Sequence, residues 1–377
     1  MRIILDICII AGHYYNSKDG IGRYAYNLIK NIKKLKENIN LKIISKENNL
    51  LKMQNTKNWR ALIPSSLKSY LTPLYTELHY FSQFINNRFL LTSELTNIDA
   101  QVYHAISPSE CVALIKLKKR PLITTFHDVI PLIFKTRYSL ERYYFKYYCN
   151  LAKKSDVIIA NSNNTKNNLV KFFNISKDKI KVIYPGIDTS KFYPKKSKKG
   201  KIKNILYLGG LVKRKGVYEV LYAFDKLLKI RRDIRLLIGG GGEESHKLRK
   251  EIERLKIKKF VKLLGFVNEK NLIHCYHRSD LFVYPSKYEG FGFTPLEAMA
   301  CAVPVITSNC SSIPEIVGNA ALKINPYDIN EICEKMNNVL SDLKLQDRMK
   351  KRGLKQVQKF SWKKCAKETS KLYKSLI

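Results

Sequence analysis

Short apolar runs alternate with amphipathic stretches along most of this chain. In the first half, residues 3–10, 102–104, 122–126 and 157–160 are compact, mostly apolar runs of strand length, the first broken by Asp6. Between the first two, Ile21, Tyr24, Ala25, Leu28, Ile29 and Ile32 recur at helical spacing and predict a helix with one buried face. The second half repeats the rhythm, with strands expected at 205–208, 235–238, 261–264, 281–284 and 304–307. A helix is expected where Val217, Val220, Leu221, Phe224 and Leu228 line one face. Strands that are mostly apolar, separated by helical patterns, predict parallel sheets covered on both faces. The expected class is α/β, with two Rossmann-like, doubly wound parallel-sheet domains.

A chain of 377 residues exceeds what one hydrophobic core usually organises. The break is expected at 194–203, a lysine-rich stretch containing Gly200 that reads as a linker. This gives an N-terminal domain over 1–193 and a C-terminal domain over 204–360.

Charge and cysteine content narrow the partners. With 69 Lys and Arg against 31 Asp and Glu, the formal charge is +38. Two causes are open: an anionic partner surface, or the coding bias that enriches Lys, Ile, Asn and Tyr together. Docking on anionic lipid fits the first, at about 1 kcal/mol for each basic residue near the surface. The eight cysteines are scattered without Cys-x-x-Cys spacing, which argues against a zinc site or a disulfide framework and for reduced thiols in the cytoplasm. The N-terminus has no signal-peptide pattern, and no apolar run reaches the ~18 residues of a membrane span. A soluble protein, or one peripheral on the inner face of the cell membrane, is expected.

The densest chemistry lies between Tyr284 and Glu297, where a buried strand gives way to a loop and then a helix. Gly290 and Gly292 allow positive φ or close approach to a ligand, and the N-H groups at the helix start favour phosphate. The Glu289 carboxylate only accepts hydrogen bonds, so it suits sugar hydroxyls. The segment therefore reads as a site for a phosphorylated sugar. Glu297 has two readings. It completes a capping box with Thr294 as N-cap and Pro295 at N1, or it binds ligand; one glutamate can do both.

A second segment runs from Leu206 to Gly216 and sets Arg214 and Lys215 just before the helix of Val217. Cations at a helix N-terminus oppose the dipole, and a bound anion removes the conflict, which predicts a diphosphate there. His127 and Asp128 follow the strand 122–126, at the carboxyl end where open α/β sheets bind ligands. Ser162 reads as an N-cap, and Ser312 with Glu315 as a further capping box. The glycine-containing stretch from Gly12 to Gly22 opens the first helix but is not Gly-x-Gly-x-x-Gly, so a dinucleotide cofactor is poorly supported. It is either a ligand-facing loop or a simple turn.

The Glu289 to Glu297 spacing resembles the Glu-x7-Glu motif of glycosyltransferase family 4, and Arg214-Lys215-Gly216 resembles that family's Arg-Lys-Gly segment. The resemblance covers the second domain well and the first in outline. It implies the GT-B fold, two Rossmann-like domains facing across a cleft, with residues 361–377 forming a helix that packs back onto the first. It implies a retaining glycosyltransferase that moves a sugar from a nucleotide-diphosphate donor to a saccharide or lipid-linked acceptor in surface-glycan synthesis. Carried over by position, Lys215 and Arg214 hold the diphosphate, Glu289 the donor-sugar hydroxyls, Glu297 the ribose, and His127 the transferred sugar. The backbone of Phe291, Gly292 and Phe293 would face sugar and diphosphate. Gly20 and Gly22 would face the donor phosphates, and the strand before Val267 would lead to the nucleotide base. The chain departs from the pattern at Gly210, where many members carry arginine, and Arg214 is expected to compensate. No Asp-x-Asp occurs, so no metal and no other cofactor is expected.

The acceptor is the least legible part. Residues 59–91 mix aromatic and apolar side chains with Arg60, Lys68 and Arg88, and read as core or as membrane contact. Two rival functions compete with transfer. A retaining glycosidase would pair Glu289 with Glu297 but has no use for Arg214 and Lys215. A nucleic-acid-binding protein fits the charge, yet the lysines are dispersed and no binding motif occurs, so nucleic acid is not an expected partner.

Overall fold

The computed structural model describes residues 4–11, 20–35, 37–44, 89, 91–134, 139–195 and 200–377. Residues 12–19, residues 59–88 of the aromatic stretch and residues 196–199 of the expected linker lie outside the described set. Chain contacts divide the protein into two units, residues 1–185 with 362–377, and residues 186–361.

The first unit holds a six-stranded sheet in the order β2-β1-β3-β4-β5-β6, every pairing parallel. Its strands are β1 Leu5–Ile10, β2 Ile39–Ile44, β3 Val102–Ala105, β4 Leu122–Phe126, β5 Val157–Ala160 and β6 Ile180–Val182. β3 and β4 are buried at every position, as strands covered on both faces must be. The helix Gly20–Lys34 buries Tyr24, Ala25, Leu28, Ile29 and Ile32 as its periodicity predicts, with Ile21 only half buried. The final helix, Trp362–Lys374, packs beside it: Tyr24 meets Trp362 edge-on at 6.0 Å. It is tied to the sheet by the Tyr373 hydroxyl, 2.7 Å from Nδ1 of buried His104.

The second unit carries a six-stranded sheet in the order β12-β11-β10-β7-β8-β9, again parallel throughout. Its strands are β7 Lys203–Leu208, β8 Ile234–Gly239, β9 Val261–Gly265, β10 Leu281–Tyr284, β11 Val305–Ser308 and β12 Leu322–Ile324. The chain builds outward from β7 to β9 on one side, then returns to build from β10 to β12 on the other. The direction of winding therefore reverses between β7 and β10, neighbours in register Leu281 with Ile205 and Phe282 with Leu206. Crevices at such reversals, outside the carboxyl ends of the strands, are where this architecture binds ligands. The helix Val217–Leu228 buries Val217, Val220, Leu221, Phe224 and Leu228, the apolar face read from the sequence.

Candidate functional site

β7 and β10 deliver the two chemically dense segments to that reversal. After β7 the chain forms a short turn, Lys213–Lys215, and enters the helix Val217–Leu228 through Gly216 at φ 76°. A Cβ on Gly216 would stand 2.2 Å from the Pro285 carbonyl oxygen, so only glycine lets these two loops lie together. The backbone N-H of Lys287 donates to the Arg214 carbonyl at 2.8 Å and joins them further.

Across this junction Lys215 and Glu289 form a two-point ion pair. Nζ of Lys215 lies 2.5 Å from Oε1 and 2.7 Å from Oε2 of Glu289. Arg214 donates through Nη1 to the Tyr288 carbonyl and stands 3.9 Å from Oε1 of Glu289. The Tyr284 hydroxyl donates to the same Oε1 at 2.8 Å. Burial alone would raise the Glu289 carboxyl, but the Lys215 and Arg214 charges outweigh it and hold the group below its ordinary value. The expected conflict of cations at a helix start is thus met within the chain by the Glu289 carboxylate.

The Glu289 loop is fastened from β11's side. Its N-H donates to Oγ of Ser311 at 3.0 Å, and Ser311 holds a left-handed backbone at φ 56°, unusual for a residue with a side chain. The Ser312 hydroxyl is 2.9 Å from the Glu289 carbonyl and 2.8 Å from the Phe291 carbonyl, either of which can take its proton. This corrects the expected capping box: Ser312 makes no side-chain cap to its own helix, Ile313–Val317, because its hydroxyl serves the neighbouring loop.

Glu297 is likewise not the third residue of a Thr294-capped helix. The helix Phe293–Ala300 starts two residues earlier, with Gly292 at φ 115° as N-cap, and Glu297 falls beyond its first turn. Its Oε2 accepts from the Tyr276 hydroxyl at 2.8 Å, and the residue is 1% exposed. Tyr276, Phe282 and Tyr284 form a row of rings, at 5.7 and 5.9 Å, whose end hydroxyls reach Glu297 and Glu289 respectively.

Phe291 is buried between the rings of Phe293 and Phe360, at 5.0 and 5.7 Å. Val267 follows β9 and packs onto Gly239 at the end of β8, where a Cβ would stand 2.8 Å from its methyl group. Val267 therefore shares the carboxyl edge of this sheet with Lys215, Glu289 and Gly292.

The remaining residues belong to the first unit. His127 lies just past β4, and its Nε2 is 2.9 Å from the Ile106 carbonyl, a pure acceptor that fixes the proton on that nitrogen. The Tyr24 ring packs edge-on against it at 4.9 Å. Asp128 accepts from the Ile130 N-H at 2.9 Å and shapes the following turn. Gly20 and Gly22 occupy the first turn of the helix Gly20–Lys34. Ser162 is an N-cap, accepting from the Thr165 N-H at 3.0 Å. Sequence reasoning missed Tyr284, Tyr276, Ser311 and Ser312 as partners of the site, although Tyr284, Ser311 and Ser312 lie in segments it singled out.

Known proteins carry the same two-part plan. A model described as Glycosyltransferase Family 4 matches residues 18–191, and one described as Glycosyl transferases group 1 matches residues 188–356. An uncharacterized glycosyltransferase of Methanocaldococcus jannaschii is 32% identical over 96% of this chain and 96% of its own length. The chain belongs to glycosyltransferase family 4. This glycosyltransferase is also 28% identical to O-antigen chain mannosyltransferase B of Escherichia coli, over 95% of this chain and 96% of that one. Among solved structures, sucrose-phosphate synthase of Thermosynechococcus elongatus superposes with a TM-score of 0.76 at 19% identity, covering 99% of each chain. The Anabaena protein HepE, solved with UDP and glucose, does so at 0.72 and 18% identity, covering 99% of this chain and all of that one. The glycosyltransferase has the GT-B fold. Neither the glycosidase nor the nucleic-acid-binding reading is favoured. No helix of the described residues is long and apolar enough to cross a membrane.

Proposed function

We propose that the enzyme transfers a hexosyl group, with retention of anomeric configuration, from a nucleotide-diphosphate sugar to a hydroxyl of a saccharide or lipid-linked saccharide. The observation that carries this reading is the Lys215–Glu289 pair at the reversal between β7 and β10, beside the starts of the helices Val217–Leu228 and Phe293–Ala300. Negative charge grows on the diphosphate as the glycosidic bond breaks, and preorganised donors aimed at it contribute most to rate. Lys215, Arg214 and the backbone N-H groups about Gly292 and Phe293 are those donors. Glu289 takes donor-sugar hydroxyls, Glu297 the ribose, and Val267 with the end of β9 borders the base. His127 contacts the transferred sugar, and Gly20 and Gly22 border the donor phosphates. Complexes of HepE with UDP and with UDP-glucose support a nucleotide-sugar donor. The E. coli mannosyltransferase relatives support a hexose such as mannose and a growing surface glycan as acceptor.

Transfer proceeds without a metal ion in this reading, because the cationic side chains and helix starts neutralise the leaving group and no Asp-x-Asp is present. Unchanged turnover in EDTA is expected, and its loss with restoration by a divalent cation would count against it.

Docking on an anionic membrane surface is supported by two adjacent helices of the first unit. The helix Gly20–Lys34 exposes Lys30, Lys33 and Lys34, and the helix Trp362–Lys374 exposes Lys363, Lys364, Lys367, Lys371 and Lys374. They run side by side, Tyr24 meeting Trp362 near their starts, and Lys374 at the end of one pairing at 2.7 Å with Glu37 just past the end of the other. A thermal-shift panel of UDP-, GDP- and ADP-sugars, mannosyl donors among them, tests the donor assignment. Ligand at 100 times its Kd adds about 2.7 kcal/mol of stability. A panel in which no nucleotide sugar stabilises the chain would overturn the reading.

A further inference from the structure

Tyr284 ends β10 with 2% of its surface exposed, its ring stacked on Phe282 at 5.9 Å and tilted against Tyr207 of β7 at 5.9 Å. Its hydroxyl donates to Oε1 of Glu289 at 2.8 Å. The same oxygen receives Nζ of Lys215 at 2.5 Å, and that ammonium lies 5.6 Å from the centre of the Tyr284 ring. One side chain therefore donates to the anion of the pair and presents its π face to the cation. Burial, followed by the Glu289 charge, pushes ionisation of this phenol well above its ordinary value, so it remains a donor at any working pH. When Lys215 turns to a diphosphate, Glu289 loses its strongest partner and keeps the phenol.

We propose that Tyr284 is a positioning residue for Glu289, holding the carboxylate toward the donor sugar while Lys215 engages the diphosphate. This rests on the donor-site reading of Lys215 and Glu289 given above.

The test measures binding by calorimetry for UDP-glucose and GDP-mannose and for the bare diphosphates UDP and GDP. It uses the full chain, Tyr284→Phe and Lys215→Ala, between pH 5 and 8. Tyr284→Phe is expected to weaken the hexose-bearing ligand by about tenfold, the scale of one hydrogen bond to a charged group. The parent diphosphate should change by less than about twofold, because it does not touch Glu289. The loss should deepen toward low pH, since a carboxylate deprived of a donor protonates more easily. Melting temperature should stay close to that of the parent chain. Equal weakening of both ligands by Tyr284→Phe, or no weakening at any pH, overturns the proposal. Unchanged diphosphate binding by Lys215→Ala, or no binding of either ligand pair by the parent chain, overturns the donor-site reading instead.

Discussion

Lys215 and Glu289 are 74 positions apart in the chain, yet the ammonium of one spans both carboxylate oxygens of the other at 2.5 and 2.7 Å. The pair is mostly buried, with the side chains 18% and 12% exposed. Removing one partner of a buried pair leaves the other uncompensated, at a cost of about 3 to 5 kcal/mol. Lys215→Ala should therefore lower stability by a few kcal/mol in urea unfolding, since Arg214 at 3.9 Å still offers Glu289 partial compensation. Transfer should fall by about 100- to 1000-fold, the scale of losing one donor to a developing anion. Near-parental turnover by this variant would remove Lys215 from the reaction.

The same pair gives a pH dependence with a definite sign. Glu289 is held below its ordinary carboxyl value in the folded chain, so the unfolded chain binds its proton more readily. The stabilisation is fully present above the ordinary carboxyl range and is lost as pH falls through the folded value. Glu289→Gln should flatten that acid loss in melting curves recorded below pH 5. An unaltered slope would show that other carboxylates carry the acid sensitivity.

His104 predicts a second pH effect at milder acidity. Burial, with the neighbouring His127 charge second, lowers its value from 6.5 to about 3, so the folded protein keeps it neutral between Tyr373 and Thr125. Unfolding releases it to take a proton below about pH 6.5, and stability therefore declines from there down to about pH 3. At pH 5 the loss is about 2 kcal/mol. Replacing His104 with Gln should reduce the drop in melting temperature between pH 7 and pH 5; an identical drop would contradict the assignment.

Gly216 tests the loop junction. Its φ is 76°, and a methyl group added there would meet the Pro285 carbonyl oxygen at 2.2 Å, so Gly216→Ala must push apart the loops that carry Lys215 and Glu289. A lowered melting temperature is expected together with a loss of transfer larger than the stability change explains. Retained activity at a reduced melting temperature would show that the junction serves the fold alone.

Much of this was legible in the chain because interior strands are mostly apolar. β4, β5 and β10 fall where their runs predict, and the helix after Gly216 buries the predicted face. The strands that no apolar run announces, β2, β6 and β12, are both edges of the first sheet and one edge of the second. β2 alternates half-buried and exposed positions over its first four residues, and β6 and β12 are three residues long with a central lysine. The helix after Gly292 departs from its sequence signal for a different reason. Thr294, Pro295 and Glu297 spell a capping box, but a glycine N-cap has no side chain to announce itself, and Gly292 starts the helix earlier. Ser312 reads as a cap of its own helix because its true acceptors, the Glu289 and Phe291 carbonyls, are some twenty residues away. Such partners become visible only once the strand order brings β7, β10 and β11 together.

The most direct test is a crystal structure of the enzyme with an intact nucleotide-hexose bound. In that complex Lys215 Nζ should have turned from Glu289 onto a diphosphate oxygen, with Glu289, still bonded to Tyr284, on the sugar hydroxyls. A ligand whose diphosphate lies away from the starts of the helices Val217–Leu228 and Phe293–Ala300, with the Lys215–Glu289 pair intact, would contradict it.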